Sequence, residues 1–327
     1  MFIKQSYFHS ILILVFSAML PSCNDKDDSK DTSLNYRQEM RNFVIEISEY
    51  AKAVDSDFLI IPQNGIELVS EENGVVNHTY LNAIDANGQE SLFYGYEGVN
   101  TSTSNSESNR LINLLKISQK SGNRILVTDY CYTHSKMDDS YVKNHSNEFI
   151  SFSADERLLN NIPSHPSPIY AENNSNIDLI SKAKNFIFII NPEDFNSKES
   201  FISAMEATNY DLIIIDFFFD AVAFSANEVS RLKIKANGGS RLVISYLSIG
   251  EAEDYRYYWQ QDWYNTSPKW LTPENPEWKG NYKVKYWDSD WKSIIYGNES
   301  SYLKKILAAG FDGVYLDIID AFEYFEE

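Results

Sequence analysis

The chain has 327 residues, and its 47 acidic and 28 basic side chains give a formal net charge of −19. This balance argues against a nucleic-acid-binding protein, which needs a basic face. It leaves either a neutral or cationic substrate or simple solubility as the reason for the charge. The length suits one large domain with a complete hydrophobic core.

The N-terminal segment is expected to be an export signal. Lys4 is followed by a short apolar segment, and the segment ends in Leu20-Pro21-Ser22-Cys23, which resembles a bacterial lipobox. We therefore expect residues 1–22 to be a signal peptide, Cys23 to be lipidated, and residues 23–35 to form a polar tether. The acidic tether resembles the surface-export signal of Bacteroidetes lipoproteins, which predicts an outer-membrane lipoprotein exposed at the surface. The alternative is an ordinary signal peptide with a chance cysteine.

Four segments that precede apolar runs are expected to be helices, and a fifth helix is expected to begin at Ala321. In residues 36–53 an apolar face recurs at helical spacing, formed by Met40, Phe43, Val44, Ile47 and Tyr50. The other three of these four are expected over about 109–121, from a capping box at Ser225 to Gly238, and over 302–309. Each of the four leads into an apolar run, and this alternation is what a parallel sheet requires.

Eight short apolar runs end in a carboxylate or carboxamide, and they predict parallel strands buried on both faces. Eight such strands separated by helices are typical of a (β/α)8 or TIM barrel, an α/β fold whose chemistry lies at the C-terminal ends of the strands. The residues that end the runs are Asn64, Glu90, Asp129, Asp155, Asn191, Asp216, Glu251 and Asp317. We therefore expect an enzyme, a single barrel domain over residues 36–327, and a site at these strand ends.

Some parts of this pattern are less regular. The run AIDANGQE, which ends at Glu90, has few β-branched residues, and SLFYGY just after it is an alternative strand. Residues 72–77 and 100–108 are expected to be loops near the barrel mouth, and 144–176 an irregular segment. We expect the helix at 36–53 to cover the seam left beside the eighth strand.

Asp317 is the first candidate for catalysis, because a carboxylate at the last buried position of a strand destabilises the fold unless it binds something. Asp320 is a candidate for substrate binding or for a helix N-cap. Glu251 is expected to face the mouth, and Arg256 to bind a carboxylate of the substrate or of the site. A purely structural ion network is the alternative for Glu251 and Arg256.

All six tryptophans lie between Trp259 and Trp291, after the seventh run. Aromatic side chains at a mouth stack on sugar rings or bind an ammonium group; alternatively they form a small core beneath a long loop. The other candidate substrate-binding residues are Gln63, Asn64, Asp129, Asp216, Tyr246 and Trp259.

No motif indicates a cofactor, since the chain has no Walker loop, no GxGxxG after a strand and no HExxH. The five histidines lack metal-ligand spacing, and His134 and His145 are expected in loops. Cys131 is expected to be a packed side chain. We expect no cofactor, no metal, no nucleic-acid partner and a monomer.

Two carboxylates remain as a candidate pair. Glycoside hydrolysis needs two carboxyl groups beside the scissile bond, about 5–5.5 Å apart for retention and about 6.5–9.5 Å apart for inversion. Closure of the barrel places Asp317 on the eighth strand and Glu90 on the second strand on either side of the first. Strands two apart are separated by roughly 10 Å, so side chains that lean inward reach such distances.

Several long segments resemble glycoside-hydrolase family 114. They are YLSIGEAEDYRYYW at 246–259, WLTPENPEWKGNYKVKYWD at 270–288, GFDGVYLDIIDAFEY at 310–324, and DFLIIPQNG at 57–65 with GQESLFYG at 88–95. The resemblance implies a TIM barrel and the founding activity of that family, endo-α-1,4-polygalactosaminidase, which cleaves a partly deacetylated, cationic galactosamine polymer. It also implies Asp317 and Glu90 as the catalytic pair and Asp320 as the second acid of a D-x-x-D motif.

The order of these segments differs from that in related barrels. There, the segment that resembles 310–324 lies mid-chain and leads through a helix to the segment that resembles 57–65. The resemblance therefore implies a circular permutation with the chain ends close together. The context of the catalytic Asp also differs, being Pro-Asp-Asn in characterised enzymes and Leu316-Asp317-Ile318 here.

The residues leave three functions open. The first is a surface-anchored glycoside hydrolase of an amino-sugar polysaccharide, with Asp317 as nucleophile or base and Glu90 as general acid/base. The second is a barrel that binds glycans without cleaving them. The third is a divalent-metal-dependent enzyme that uses Asp216, Glu251 and Asp317.

Overall fold

A computed structural model describes residues 34–326, which contain eight parallel strands; α-helices connect successive strands except the fourth and fifth, which are joined by a segment with one 3-10 turn. The strands are β1 (Leu59–Pro62), β2 (Ala86–Glu90), β3 (Arg124–Tyr130), β4 (Ile150–Ala154), β5 (Phe186–Ile189), β6 (Leu212–Asp216), β7 (Leu242–Ser248) and β8 (Gly313–Asp317). Each coincides with a predicted apolar run. The irregular second run forms β2, and the alternative SLFYGY forms turns and bends instead.

The structure contains the predicted helices and several others. They are α1 (Tyr36–Val54), α2 (His78–Ala83), α3 (Asn105–Lys120), α4 (His134–Ser146), α5 (Lys198–Glu206), α6 (Ala226–Leu232), α7 (Ser289–Ile295), α8 (Tyr302–Ala308) and α9 (Ala321–Glu326). Ser225 forms the predicted capping box, but α6 ends at Leu232 rather than near Gly238.

Two loop predictions are wrong. The Ser104 side chain accepts from the Glu107 backbone N–H, and this N-cap starts α3 inside the segment 100–108. His134 and His145 lie in α4 rather than in loops.

The strands form two parallel sheets that meet at β1 and β2. The first has the order β1-β8-β7-β6-β5, and the second has the order β2-β3-β4. Asp85 N donates to Ile60 O (2.9 Å), which joins β2 to β1. At the far edges β4 contacts β5, and the rings of Phe152 and Phe186 are 5.9 Å apart. The predicted α/β class with parallel strands is confirmed.

The core runs between the strands and the helices that flank them. All five residues of β6 are buried, as expected for a parallel strand that is covered on both faces. The apolar face of α1 is fully buried at Met40, Phe43, Val44 and Ile47. Burial of each such side chain contributes about 1.5–3 kcal/mol, so packing in the core, rather than helix propensity, fixes the position of α1.

Two smaller elements follow β6 and β7. A short antiparallel hairpin pairs Phe218–Phe219 with Val222–Ala223. After β7, an antiparallel sheet of three strands is formed by Glu251–Glu253, Leu271–Glu274 and Asn281–Val284. This sheet lies in the aromatic insertion that the sequence placed after the seventh strand.

The first and last helices of the described chain are neighbours. Arg37 in α1 forms an ion pair with Glu326 in α9 (3.0 Å), and the rings of Tyr36 and Phe325 are 5.6 Å apart. The order of the sequence segments predicts that the two chain ends lie close together, and these contacts agree with that prediction.

The predicted signal peptide, the lipidation of Cys23 and all of the tether except Leu34 and Asn35 lie outside the described residues. Within residues 34–326, no helix is both long and apolar enough to cross a membrane.

Candidate active site

Two carboxylates lie on either side of β1. Glu90 ends β2 and Asp317 ends β8, and both side chains are half-buried. Gln63 N donates to Leu316 O (2.8 Å), so β1 keeps its pairing with β8 up to the level of Asp317. The structure therefore brings the two predicted catalytic residues to neighbouring positions at the same end of the sheets.

Glu90 is held by two side chains. The Asn64 amide donates to Glu90 Oε2 (3.0 Å), and the Tyr130 hydroxyl donates to Glu90 Oε1. The Asn64 side-chain oxygen in turn accepts from the Glu90 backbone N–H (3.0 Å). These contacts fix the position of the carboxylate before any ligand binds.

The backbone is strained where these strands end. Asn64, Ser91 and Ile318 follow β1, β2 and β8, and their φ angles are 59°, 55° and 59°. Non-glycine residues with positive φ are uncommon and cluster at sites where the surrounding structure enforces them. The strain coincides with the ends of the three strands that carry the carboxylates and their amide partner.

Asp317 accepts a hydrogen bond from the Tyr246 hydroxyl (2.6 Å). Burial, together with the nearby Glu90 carboxylate, raises the pKa of Asp317 to about 8. Asp320 lies just beyond, before α9, and burial with the neighbouring Glu323 raises the pKa of Asp320 to about 6. A carboxyl group that keeps its proton near neutral pH is suited to act as a general acid.

The raised pKa of Asp317 predicts a pH-dependent stability difference. Below its ordinary value of 3.8 the group is protonated in both folded and unfolded chains. Between that value and about 8 the unfolded chain releases the proton while the folded chain retains it, so the folded state loses stability as the pH rises. Asp317→Asn removes this penalty, and we expect the variant to be roughly 1–3 kcal/mol more stable than wild type at pH 8.

Urea denaturation from pH 3 to pH 9 measures this difference. The two proteins should have equal stability near pH 3, which is an internal control, and should separate above pH 4. A difference that does not vary with pH would show that Asp317 titrates normally.

Gln63 reaches the same end of β1 and is 3% exposed, and its Oε1 atom has no hydrogen-bond partner among residues 34–326. Such a buried acceptor is stabilised by a ligand or an ordered water.

Asp216 and Arg256 belong to a buried ion network. Arg256 pairs with Asp216 (2.7 Å) and with Glu253, and all three side chains are nearly inaccessible. Both carboxylates are thereby satisfied inside the protein. The structure favours the structural alternative, so we leave Asp216 and Arg256 out of the proposed substrate contacts.

Glu251 does not face the mouth as expected. It is buried in the antiparallel sheet, where it accepts from Asn275 (2.8 Å), Asn281 (3.2 Å) and Lys283 (3.1 Å). The charge of Lys283 also opposes the rise in the pKa of Asp320. Glu251 therefore positions Lys283 near the edge of the site instead of contacting substrate.

Asp129 also differs from the prediction. It is fully buried and accepts from the Phe93 and Tyr94 backbone N–H groups and from Ser140 and Asn144 of α4. Successive strand residues face opposite sides, so Asp129 points away from Glu90. Its role is to anchor α4 and the segment after β2.

The tryptophan cluster is mainly a core. Trp263, Trp270 and Trp291 are buried and pack against one another, with ring centroids 5.0–5.1 Å apart. Trp259 is partly buried beside Trp263, and its Nε1 atom has no hydrogen-bond partner among the described residues. Trp259 therefore remains a candidate for substrate contact.

The metal hypothesis does not fit the geometry. Asp216 and Glu251 are each paired with a cationic side chain, Arg256 and Lys283. No group of three His, Cys, Asp or Glu side chains within residues 34–326 is placed to hold a metal ion. We derive no step through a metal.

Tyr130 and Lys283 were missed by the sequence reasoning. Glu90 is paired in register with Thr128 of β3, and the period of two then puts Tyr130 on the same face. Tyr130 could therefore have been predicted as a partner of Glu90 once β2 and β3 were aligned. No local sequence pattern indicates that Lys283 lies near the site, because the pairing of the antiparallel sheet determines its position.

The fold and the site together define an α/β protein with a coupled pair of carboxylates at the C-terminal ends of two parallel strands. Such an arrangement is typical of hydrolases with general acid–base chemistry.

Comparison with known proteins identifies a related family for the C-terminal part of the chain. Residues 194–327 match the model of Glycoside-hydrolase family GH114, and the chain is related to that family. Asp317 lies inside the matched region and Glu90 lies outside it.

Curated relatives are uncharacterized proteins. The chain is 44% identical over 160 residues to one of Methanocaldococcus jannaschii (48% of this chain, 42% of the relative). It is 39% identical over 123 residues to one of Thermotoga maritima (38% and 36%) and 40% identical over 123 residues to one of Deinococcus radiodurans (37% and 37%). The chain thus spans less than half the length of these relatives.

Proposed function

We propose that this protein is a glycoside hydrolase that cleaves an amino-sugar-containing, galactosamine-type polysaccharide. One observation carries the proposal: Glu90 and Asp317 lie on either side of β1 and interact strongly enough for Glu90 to help raise the pKa of Asp317 to about 8. Two neighbouring carboxyl groups, one of which keeps its proton near neutral pH, are the machinery that glycoside hydrolysis requires. The relation to Glycoside-hydrolase family GH114 supports this reaction class.

The geometry favours Asp317 as the proton donor. Asp317 retains its proton at neutral pH because of burial and the neighbouring charge. Glu90 instead accepts hydrogen bonds from Asn64 and Tyr130, which suits a carboxylate that acts as base or nucleophile. The sequence hypothesis gives Asp317 the role of nucleophile or base and Glu90 that of general acid/base. The present proposal keeps these two residues and exchanges their roles.

The charge of the site supports a cationic substrate. Beyond the effect of burial, Glu90 and Asp320 lie close enough to Asp317 for their negative charges to raise its pKa, and Lys283 is a cation whose charge reaches Asp320. An ammonium group on the substrate is attracted to such a cluster. Asn64, Gln63, Asp320, Tyr246 and Trp259 are the proposed substrate-binding residues.

We also infer that the eight strands close into a (β/α)8 barrel, circularly permuted relative to related barrels. Contact between β4 and β5 and the adjacency of α1 and α9 support this inference. An experimental structure in which β4 and β5 separate would contradict it.

A reducing-sugar screen over a panel of polysaccharides tests the function. Wild type should release reducing ends from a partly deacetylated galactosamine polymer, and Asp317→Asn should not. Tight binding of glycan with no release of reducing ends by wild type would instead establish a glycan-binding protein.

We propose that the protein is exported and anchored in the outer membrane through lipid on Cys23, a proposal that rests on the lipobox-like sequence before it. Cys23→Ala should move the protein from the detergent phase to the aqueous phase in a Triton X-114 partition of whole cells. Cys131→Ala is the matched control and should leave the partition unchanged. An unaltered partition of Cys23→Ala would refute the anchor.

A further inference from the structure

Tyr315 lies beneath the carboxylate pair. It precedes Asp317 by two residues on β8, so both side chains face the same side of the sheet. Tyr315 is paired in register with Tyr246 of β7, and its ring meets Phe188 of β5 edge to face at 5.0 Å. The residue is completely buried, and these neighbours fix the direction of its ring.

The Tyr315 hydroxyl is unused within the protein. It has no hydrogen-bond partner among residues 34–326, whereas the hydroxyls of Tyr246 and Tyr130 bind Asp317 and Glu90. Burial, with the charges of Glu90 and Asp317, raises the pKa of Tyr315. The hydroxyl is therefore neutral and lies within the electrostatic reach of both carboxylates.

Gly88 makes room for this hydroxyl. It precedes Glu90 by two residues on β2, and it pairs with Gln63, the residue that follows β1. A Cβ atom at Gly88 would overlap the Tyr315 hydroxyl and lie 2.7 Å from its Cε2 atom. The Tyr315 ring thus crosses from β8 over β1 to β2, into space left by the absent side chain.

Gln63 gives an independent indication of a ligand at this position. Its buried Oε1 atom also lacks a partner in the described part of the chain. Gln63 directly follows β1, between the strands that carry Glu90 and Asp317. A donor-acceptor hydroxyl and an amide acceptor, both buried and unpaired, are suited to bind the hydroxyl groups of a sugar.

We propose that Tyr315 is a third catalytic residue, whose hydroxyl donates a hydrogen bond to the sugar held between Glu90 and Asp317. The proposal rests on the glycosidase function proposed above. A buried, unpaired hydroxyl destabilises the folded protein, and an oxygen of the bound sugar removes that cost. This hydrogen bond forms only when the sugar is present. If it strengthens as charge develops on the sugar in the transition state, it lowers the barrier to reaction.

The test compares Tyr315→Phe with Tyr80→Phe. Tyr80 is the matched control, because it is also buried and its hydroxyl also lacks a partner among residues 34–326, but it lies in α2. Tyr315→Phe should lower kcat/KM on the galactosamine polymer by roughly 10- to 100-fold, while its Tm stays equal to or above that of wild type. Tyr80→Phe should leave both kcat/KM and Tm at or above the wild-type values.

Binding provides a second measurement that does not depend on turnover. In an Asp317→Asn background, calorimetry with galactosamine oligosaccharides should show weaker binding after Tyr315→Phe and unchanged binding after Tyr80→Phe.

Three results would overturn the role of Tyr315: activity equal to that of Tyr80→Phe, a Tm clearly below that of wild type, or a shifted pH profile with an undiminished maximum rate. The last would mean that Tyr315 acts through the carboxylates and not on the sugar. Wild type that neither cleaves nor binds the polymer would overturn the proposed function, and with it this role.

Discussion

Asp317→Asn is expected to lower kcat on the cleaved polysaccharide by roughly 10³- to 10⁵-fold. The amide has nearly the same size and can still accept from Tyr246, but it cannot transfer a proton. The loss should therefore appear in kcat, with little change in the affinity for the polymer. Reducing-end release under saturating substrate measures the effect.

Glu90→Gln should cause a loss of similar size, and the double variant should lose little more than either single variant. Residues that act as one unit are not additive, because removal of either partner already abolishes the shared chemistry. Additive losses in the double variant would indicate two independent contributions. Retention of activity within 10-fold in Asp317→Asn would refute the assignment of the pair.

Arg256→Met is expected to have the largest effect on stability. Asp216 and Glu253 both pair with Arg256 inside the protein, and loss of the guanidinium leaves two buried carboxylates without their cation. Removing one partner from a buried ion pair costs about 3–5 kcal/mol. Urea denaturation at neutral pH should therefore show a large fall in the free energy of unfolding.

Arg231→Met is the matched control. Arg231 also pairs with two carboxylates, Glu199 and Glu206, but on the surface, where such pairs contribute about 0–1 kcal/mol. A stable Arg256→Met protein with weakened substrate binding would instead show that Arg256 contacts substrate, as the sequence first indicated.

The strands were predictable because each is a compact apolar run that ends in a polar residue. Even β2, with the sequence ANGQE, follows this pattern at its end. Gly88 in its middle weakens the strand signal, and the structure shows why the residue is there: Tyr315 occupies the space above it. Glu90 and Asp317 could be named from sequence, since strand order alone places them on either side of β1.

The partners of the carboxylates could not be predicted in the same way. Asp129 and Tyr130 are adjacent in sequence, and only the alignment of β3 with β2 decides which one faces Glu90. The role of the aromatic cluster follows from burial. Trp263, Trp270 and Trp291 pack into a core, and composition alone cannot distinguish such a core from a sugar-binding surface. The positions of Arg256 and Glu251 depend on contacts between distant segments.

The position of β8 has a consequence for how the molecule folds. It is the last strand in the described chain, yet it lies between β1 and β7 and is hydrogen-bonded to both. The flanking contact between Arg37 and Glu326 joins residues 289 positions apart. A growing chain therefore holds β1 with one unpaired edge until the final strand emerges, and such long-range pairing is slow to form. Asp317 comes opposite Glu90 in that same step, so a partly synthesised chain lacks both the completed sheet and the pair of carboxylates.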